Sequence, residues 1–306
     1  MPSIRSENQT LQNSPSALKS WVLATRPKTW IASISPVLIG VSMAAATQPI
    51  RFSLFALTLL FSLFIQIGTN FANDYFDFIK GADTSARLGP KRAVAQGWIS
   101  PPAMLIGTLL IFGAAFLIAI PLMTIAGWWS LPLAASAILF GILYTGGPKP
   151  LGYLGLGELL VFVFFGPIAA CGAYFLQTGA LHTSVFLASL APGLLSCSIL
   201  IANNLRDEKT DRAANKKTLI VRFGRTFGSW EYTAAILGAA AIPLILVLFT
   251  QAHWTLLSAS LILPLSFPWV KKAFLCKHPL ELIPVLQGSA LLLFLYTLLF
   301  CAAIQW

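Results

Sequence analysis

The sequence predicts an all-α integral membrane protein: nine transmembrane helices around a central cavity open to the cytoplasmic side, with the N-terminus inside. Three observations carry that expectation. Apolar residues make up 57% of the 306 and charged residues only 10%. The apolar residues gather into runs near the roughly 20 residues that cross a bilayer. The positive charges fall on one side of those runs when the runs are taken in order. In lipid each backbone polar group must be satisfied within its own segment, and the runs are too long and continuous for barrel strands, so they read as helices.

Residues 1–20 are polar, rich in Ser, Asn and Gln, and lack a signal-peptide pattern; they read as a disordered cytoplasmic tail, with 21–306 a single transmembrane domain. Spans are expected at about 29–46, 53–72, 102–120, 128–145, 158–177, 184–203, 231–250, 254–270 and 285–304, the eighth interrupted by Pro264 and Pro268. With the N-terminus inside, every Lys and Arg except Arg51 lies in a cytoplasmic segment, and so do all ten acids. Merging or dropping one span would invert every later loop and destroy this asymmetry. The external loops are short and nearly uncharged, whereas the second-to-third and sixth-to-seventh loops are long and crowded with both signs.

Those two loops hold the chemistry. Six of the ten acids, Asp74, Asp77, Asp83, Asp207, Glu208 and Asp211, fall in two short windows, NDYFDFIKGAD (Asn73–Asp83) and NNLRDEKTDRA (Asn203–Ala213). Superposing them puts Asn73 on Asn203 and Asp77 on Asp207. A spacing of four is one turn of one helix face, and its recurrence four spans later hints at a parallel internal duplication that would aim both sets into one cavity. An acid inside a membrane costs about 2.5–3.5 kcal/mol on insertion scales, so clustered acids at helix ends imply a hydrated or ion-filled pocket. The bland alternative is a solvated face neutralised by neighbouring Lys and Arg.

Asn73, Asp74 and Asp77 lie within one turn, as do Asn203, Asn204 and Asp207, with Asp211 one turn on. Two converging sets of hard oxygen donors suit Mg2+, which commonly bridges carboxylates to substrate phosphates. A diphosphate is the natural third party, and Arg87, Lys91, Arg92, Lys149, Arg206 and Lys209 are placed to neutralise it. No GxxxxGK[ST] loop is present, so the expected ester is one that the membrane itself stores, a prenyl diphosphate. The net charge of +10 follows topology and these loops, so anionic lipid or a phosphorylated substrate, rather than nucleic acid, is the expected partner; no obligate protein partner is expected. Cys171, Cys197, Cys276 and Cys301 sit singly, and His182, His253 and His278 lack ligand spacing, so neither zinc nor histidine-base chemistry is supported. Among aromatic residues that could face an allylic cation, namely Tyr75, Phe76, Tyr144, Tyr153 and Phe164, Tyr144 stands out beside the turns of TGGPKPLGYLGLG.

The two windows resemble the NDxxD and DxxxD hallmarks of the UbiA superfamily of membrane prenyltransferases: Asn73, Asp74 and Asp77 match the first, Asn203, Asp207 and Asp211 the second. RPKTW (Arg26–Trp30), GADTSARLGPKRAVAQGWIS (Gly81–Ser100), YTGGPKPLGYLGLGE (Tyr144–Glu158), FFGP (Phe164–Pro167) and NNLRDEKTDRAANKKTLIVRFG (Asn203–Gly224) are similar to the 1,4-dihydroxy-2-naphthoate polyprenyltransferase branch of menaquinone synthesis. Asp83, rather than the Gly81 position, follows that branch, whereas Asn215 stands where it often has Gly and Glu208 where it often has an apolar residue. The resemblance implies Mg2+ held by Asp74, Asp77, Asp83, Asp207 and Asp211. It implies that Asn73, Asn203 and Asn204 orient ligands or phosphate, and that Arg26, Arg87, Arg92, Lys149 and Arg206 bind diphosphate or an acceptor carboxylate. The implied reaction moves a polyprenyl group from its allylic diphosphate to the naphthoate, giving demethylmenaquinone with loss of CO2 and diphosphate. It implies a multi-pass inner-membrane location with the site facing the cytoplasm. Two alternatives stay open: a 4-hydroxybenzoate or other aromatic acceptor on the same fold, and a divalent-cation or phosphate transporter.

Overall fold

Without water to hydrogen-bond, an apolar chain closes its backbone on itself. The computed structural model describes residues 15–83, 89–250 and 252–305, and among them there are helices and no strands. In order these are α1 (Ala17–Ala24), α2 (Trp30–Ala45), α3 (Phe52–Ile79), α4 (Pro101–Ala126), α5 (Ser130–Leu143) and α6 (Gly157–Thr178, with a π turn at Phe164–Ile168). There follow α7 (Thr183–Ala213), the short α8 (Leu219–Phe223), α9 (Arg225–Thr250), α10 (Ile262–Leu275) and α11 (Ile283–Ala303).

Among the described residues, seven segments are long and apolar enough to cross a membrane: α1 and α2 taken together, α3, α4, α6, α7, α9 and the stretch ending in α11. The chain is thus a multi-pass membrane protein. The other two expected spans coincide with α5 and α10, each of 14 residues, short of the roughly 20 that cross a bilayer straight. A 3-10 segment, Trp254–Leu261, precedes α10, where prolines interrupt the pattern. At the start, Ser16 caps α1 by accepting from the Lys19 amide at 3.4 Å, and Trp21 packs on Phe71 with centroids 5.4 Å apart. Residues 15–20 of the stretch expected to be a tail thus include the start of α1; residues 1–14 lie outside the described residues.

The two acid-bearing helices are the long ones. α3 has 28 residues and α7 has 31, roughly 42 and 46 Å at 1.5 Å per residue, against about 30 Å of hydrocarbon. Their apolar runs stop near 72 and 203, but the backbone continues as helix, so both motifs occupy the last turns of helices rather than loops. α7 is the most buried span; Leu195, Ile201 and Leu205 pack with Ile236, Tyr232, Tyr296 and Phe300 of α9 and α11. The most extensive pairings are α3 with α4 and α7 with α9, equivalent places in the duplication suggested by the motifs. Helices approach closely where side chains are small: a Cβ on Gly40 of α2 would lie 2.2 Å from the Ala170 carbonyl oxygen of α6. Arg51, at the opposite end of α3 from the acids, donates through Nη2 to the carbonyls of Leu176 (3.2 Å) and Gln177 (2.7 Å), capping the C-terminus of α6.

α3 and α7 end alike. At the end of α3 the Gly81 amide bonds the Phe78 carbonyl and the Ala82 amide bonds that of Asp77, both at 2.9 Å, with Gly81 at φ 68°. At the end of α7 the Asn215 amide bonds Arg212 (3.2 Å), the Lys216 amide bonds Asp211 (2.8 Å), and Asn215 is at φ 55°. Each is a Schellman motif, whose left-handed residue is best filled by Gly and next by Asn. That explains why Asn215 can occupy a glycine-like position. Matching the helix ends pairs Asp77 with Asp211, one turn away from the pairing with Asp207 suggested by the Asn-x-x-x-Asp spacing.

Asn215→Gly should keep the thermal midpoint in detergent within error, whereas Asn215→Val should lower stability by about 1–2 kcal/mol, the cost of a left-handed β-branched residue. Gly40→Val should cost about 1–3 kcal/mol by overpacking the α2–α6 contact, read in the same melt.

Candidate active site at the ends of two acidic helices

A cavity of about 950 Å3 lies between the two halves of the bundle. Its polar pole is formed by Asn73 and Asp77 of α3 and by Asn203, Asn204, Arg206, Asp207 and Asp211 of α7, with Arg26, Arg92, Tyr144, Tyr153 and Lys216 arriving from connecting segments. From there it continues into a mainly apolar throat past Phe61, Leu122, Leu133, Phe140, Phe164 and Leu200, with Thr58, Ser62, Gln66 and Gln287 also on its wall. On α3 the lining runs from Asp77 down to Thr58, about 28 Å at 1.5 Å per residue. A charged group and a long apolar chain thus fit one continuous space. Room for Tyr144 comes from glycine: a Cβ on Gly157 would lie 2.9 Å from its hydroxyl and one on Gly152 3.1 Å from its ring.

At the pole, carboxylates of both motifs share one cation. Lys216 Nζ lies 3.4 Å from Asp77 Oδ1 and 4.0 Å from Asp211 Oδ1, so the two acids are neighbours on the same end of the bundle. The Schellman turn at Asn215 folds the chain back and aims Lys216 there. Asp77, 1% exposed, also receives Arg92 Nη2 at 3.1 Å and the Tyr153 hydroxyl at 2.6 Å. Lys216 stands 4.7 Å over the Tyr153 ring. Burial, then the Asp77 charge, pushes the Tyr153 phenol above its usual range, so it stays protonated as a donor. Asp207 is gripped bidentately by its neighbour Arg206, Nε to Oδ1 at 2.7 Å and Nη2 to Oδ2 at 2.6 Å, and the same Nη2 reaches Asn203 Oδ1 at 2.6 Å. Asn73 Oδ1 accepts from Thr145 Oγ1 at 2.8 Å.

Asp74 and Asp83, expected with the other three as ligands, are not among the residues lining the cavity. Asp74 accepts from the amides of Ala93 (3.0 Å) and Val94 (3.3 Å), at the start of a helical turn that Gly97 closes. Ala93, Val94 and Ile99 bury against Ile67, Phe71 and Met104. Asp74 thereby fixes the segment that brings Arg92 onto Asp77, while Asp83 Oδ2 lies 3.6 Å from Arg92 Nε. Among the described residues no three His, Cys, Asp or Glu side chains sit close enough to hold a metal by themselves.

Of the expected substrate-binding residues, Arg26, Arg92, Tyr144, Asn73, Asn203, Asn204 and Arg206 line the cavity. Arg26 does so from a left-handed backbone, φ 51°, a conformation that non-glycine residues hold at a cost. Lys149 does not join them; it sits exposed on the turn after α5. Arg87 lies outside the described residues. Sequence reasoning missed Lys216, counted only as a loop charge, although its place just past an αL-prone Asn at a helix end was the available signal. It also missed Lys80, which spans from the end of α3 to the carbonyls of Thr145 and Gly147. Burial lowers the Lys80 ammonium below its usual range, with Asp77 opposing.

Comparison with known proteins meets this geometry. Residues 33–286 match the UbiA prenyltransferase family. The chain is 34% identical to a 1,4-dihydroxy-2-naphthoate octaprenyltransferase of Haemophilus influenzae, covering 92% of this chain and 94% of that one. It is 35% identical to the protein of that name in Mycobacterium tuberculosis, covering 94% and 97%. In fold it is similar to a UbiA homolog from Archaeoglobus fulgidus bound to GPP and Mg2+ (TM-score 0.61, 16% identity, 92% of this chain and 99% of that one). It is also similar to the apo structure of a UbiA homolog from Aeropyrum pernix K1 (TM-score 0.67, 14% identity, 89% and 97%). A family match over most of the chain, relatives above 30% identity and a cavity joining an acidic pole to an apolar throat lead to one conclusion: the chain belongs to the UbiA prenyltransferase family and is a prenyl-transferring membrane enzyme.

Proposed function

We propose that this enzyme transfers a polyprenyl group from an allylic polyprenyl diphosphate to 1,4-dihydroxy-2-naphthoate at the cytoplasmic side of the inner membrane, with loss of diphosphate and CO2. The observation that carries the reading is the single cavity in which both acidic motifs, tied through Lys216, face a throat of prenyl-chain character. The naphthoate acceptor rests on the names of the similar enzymes, and the quinol-level product would be oxidised afterwards to the quinone. In this reading the nine helical segments all cross the membrane with the N-terminus inside. The excess of Lys and Arg at the ends of α3 and α7, against Arg51 alone opposite, supports it.

The donor set fits Mg2+. Asp77, Asp207 and Asp211, with Asn73 and Asn203, offer hard oxygens, and a cation already rests between Asp77 and Asp211. Mg2+ is usually held by one or two carboxylates, with substrate phosphates and water completing its shell, so the lack of a self-sufficient cluster of three among the described residues suits a metal that arrives with diphosphate. Bound there, the metal would stabilise the charge that builds on the departing diphosphate. Asp74 and Asp83 then act from behind, through the Arg92 segment.

This chain's own residues do the rest. Arg26, Arg92, Arg206 and Lys216 line the pole and neutralise the trianion. The throat holds the prenyl tail, aligning the allylic carbon just below the pole. The allylic C–O bond breaks with its electron pair leaving on diphosphate, and the aromatic faces of Tyr144 and Phe164 line the space where the allylic cation forms. The acceptor ring forms the new C–C bond at its carboxyl-bearing carbon. That carboxylate departs as CO2 and its bonding pair restores the ring.

Membranes containing the protein, Mg2+, a labelled prenyl diphosphate and a panel of aromatic acids should yield a prenylated, decarboxylated naphthol. A prenylated hydroxybenzoate instead would reassign the acceptor, and no product with any acceptor would favour transport. Asp77→Ala and Asp211→Ala should each lower turnover by about 100-fold or more while the protein still inserts, and EDTA should abolish it reversibly. Lys216→Met should lower turnover by about tenfold or more through loss of a charged contact to the diphosphate. Lys149→Ala, on the exposed turn, should stay within about twofold of wild type. Equal losses at Lys149 and Lys216 would contradict this placement of the site.

A further inference from the structure

Glu158, in the first turn of α6, is an acid that the charge cluster at the pole does not use. It is 7% exposed, and its Oε1 accepts from Asn204 Nδ2 at 2.8 Å. Asn204 is the inner neighbour of the acidic motif on α7: three residues before Asp207, about 4.5 Å closer to the throat, and four residues beyond Leu200, which belongs to the apolar wall. Asn204 and Tyr144 thus line the cavity on the throat side of the pole. With diphosphate at the pole and the tail in the throat, as the proposed function has them, the allylic carbon lies at this level, and the acceptor ring must meet it here.

An amide has one acceptor and one donor end. Glu158 Oε1 takes the donor end of Asn204, which leaves Oδ1 free of that contact on a residue that lines the cavity. We infer that Glu158 is a positioning residue that fixes Asn204 as a hydrogen-bond acceptor for a ring hydroxyl of the aromatic acceptor. An acceptor atom at that hydroxyl orients the ring, and it favours the electron-rich form that attacks the allylic cation. Glu158 also stands near a helix N-terminus, where an acid is favoured on purely structural grounds, so the test must separate the two roles.

The inference rests on the proposed function and is tested with purified enzyme and separate titrations of prenyl diphosphate and naphthoate. Glu158→Ala should raise the acceptor KM about tenfold and leave the donor KM within about twofold. Asn204→Asp, which sets two carboxylates against each other, should do the same. The double swap Glu158→Gln with Asn204→Asp restores a donor facing an acceptor, with an oxygen again turned to the cavity, and should recover most of the acceptor KM. If Glu158→Ala does not fold, the Asn204→Asp single variant and the double swap decide the matter. Equal shifts in both KM values, no shift in either, or failure of the swap to rescue would overturn the inference while wild-type transfer upholds the proposed function. Absence of transfer by the wild type to any aromatic acid would overturn both.

Discussion

One ammonium group holds the site in register. Lys216 reaches a carboxylate of each motif, and it can do so only because α7 ends in a left-handed turn at Asn215 that folds the chain back on the helix end. The same bridge requires α3 and α7 to continue as helix beyond their apolar runs, so that the acids stand at the helix ends while the shafts pack in the bundle. A helix that stopped with its apolar run would leave Asp77 and Asp211 on loops, where no fixed spacing between them could be maintained. Buried acids in such a place are tolerable because each has a cation or donors within reach: Arg92, Lys216 and Tyr153 for Asp77, and Arg206 for Asp207.

The arrangement divides labour between acids that look alike in sequence. Asp77, Asp207 and Asp211 face the cavity, whereas Asp74 organises backbone amides two dozen residues or fewer away and so aims Arg92. The pole is strongly charged and the throat beneath it uncharged and mainly apolar, with Thr58, Ser62, Gln66 and Gln287 also on its wall, so a molecule with a trianionic head and a hydrocarbon tail is matched at both ends by one cavity. The throat carries no charged side chain among the described lining residues, and its walls at Phe61, Leu122, Leu133 and Phe164 suit a hydrocarbon tail.

Much of this was legible in the sequence because the membrane constrains it so strongly. Nine apolar runs were readable from length, and seven helical segments among the described residues are long and apolar enough to cross a membrane. The two whose helices have only 14 residues, α5 and α10, show where hydropathy alone stops, since it registers apolar character but not where a proline or a 3-10 stretch shortens the helix. The pairing of the acidic motifs was readable from their spacing, yet spacing placed Asp77 opposite Asp207. Helix ends place it opposite Asp211, because a terminus is defined by αL geometry and not by motif letters. Asp74 and Lys149, expected as site residues from their motifs, do not line the cavity. Whether a carboxylate turns toward a cavity or toward backbone amides depends on a segment about 20 residues away, which no local pattern records.

The most direct measurement is an experimental structure of the enzyme with Mg2+ and a non-hydrolysable polyprenyl thiodiphosphate. The account predicts the diphosphate between the ends of α3 and α7, in reach of Asp77, Asp211 and Lys216, with its chain running down the throat past Phe164 and Phe61. A diphosphate held at one motif alone, or lodged outside this cavity with Asp77 and Asp211 turned apart, would contradict it.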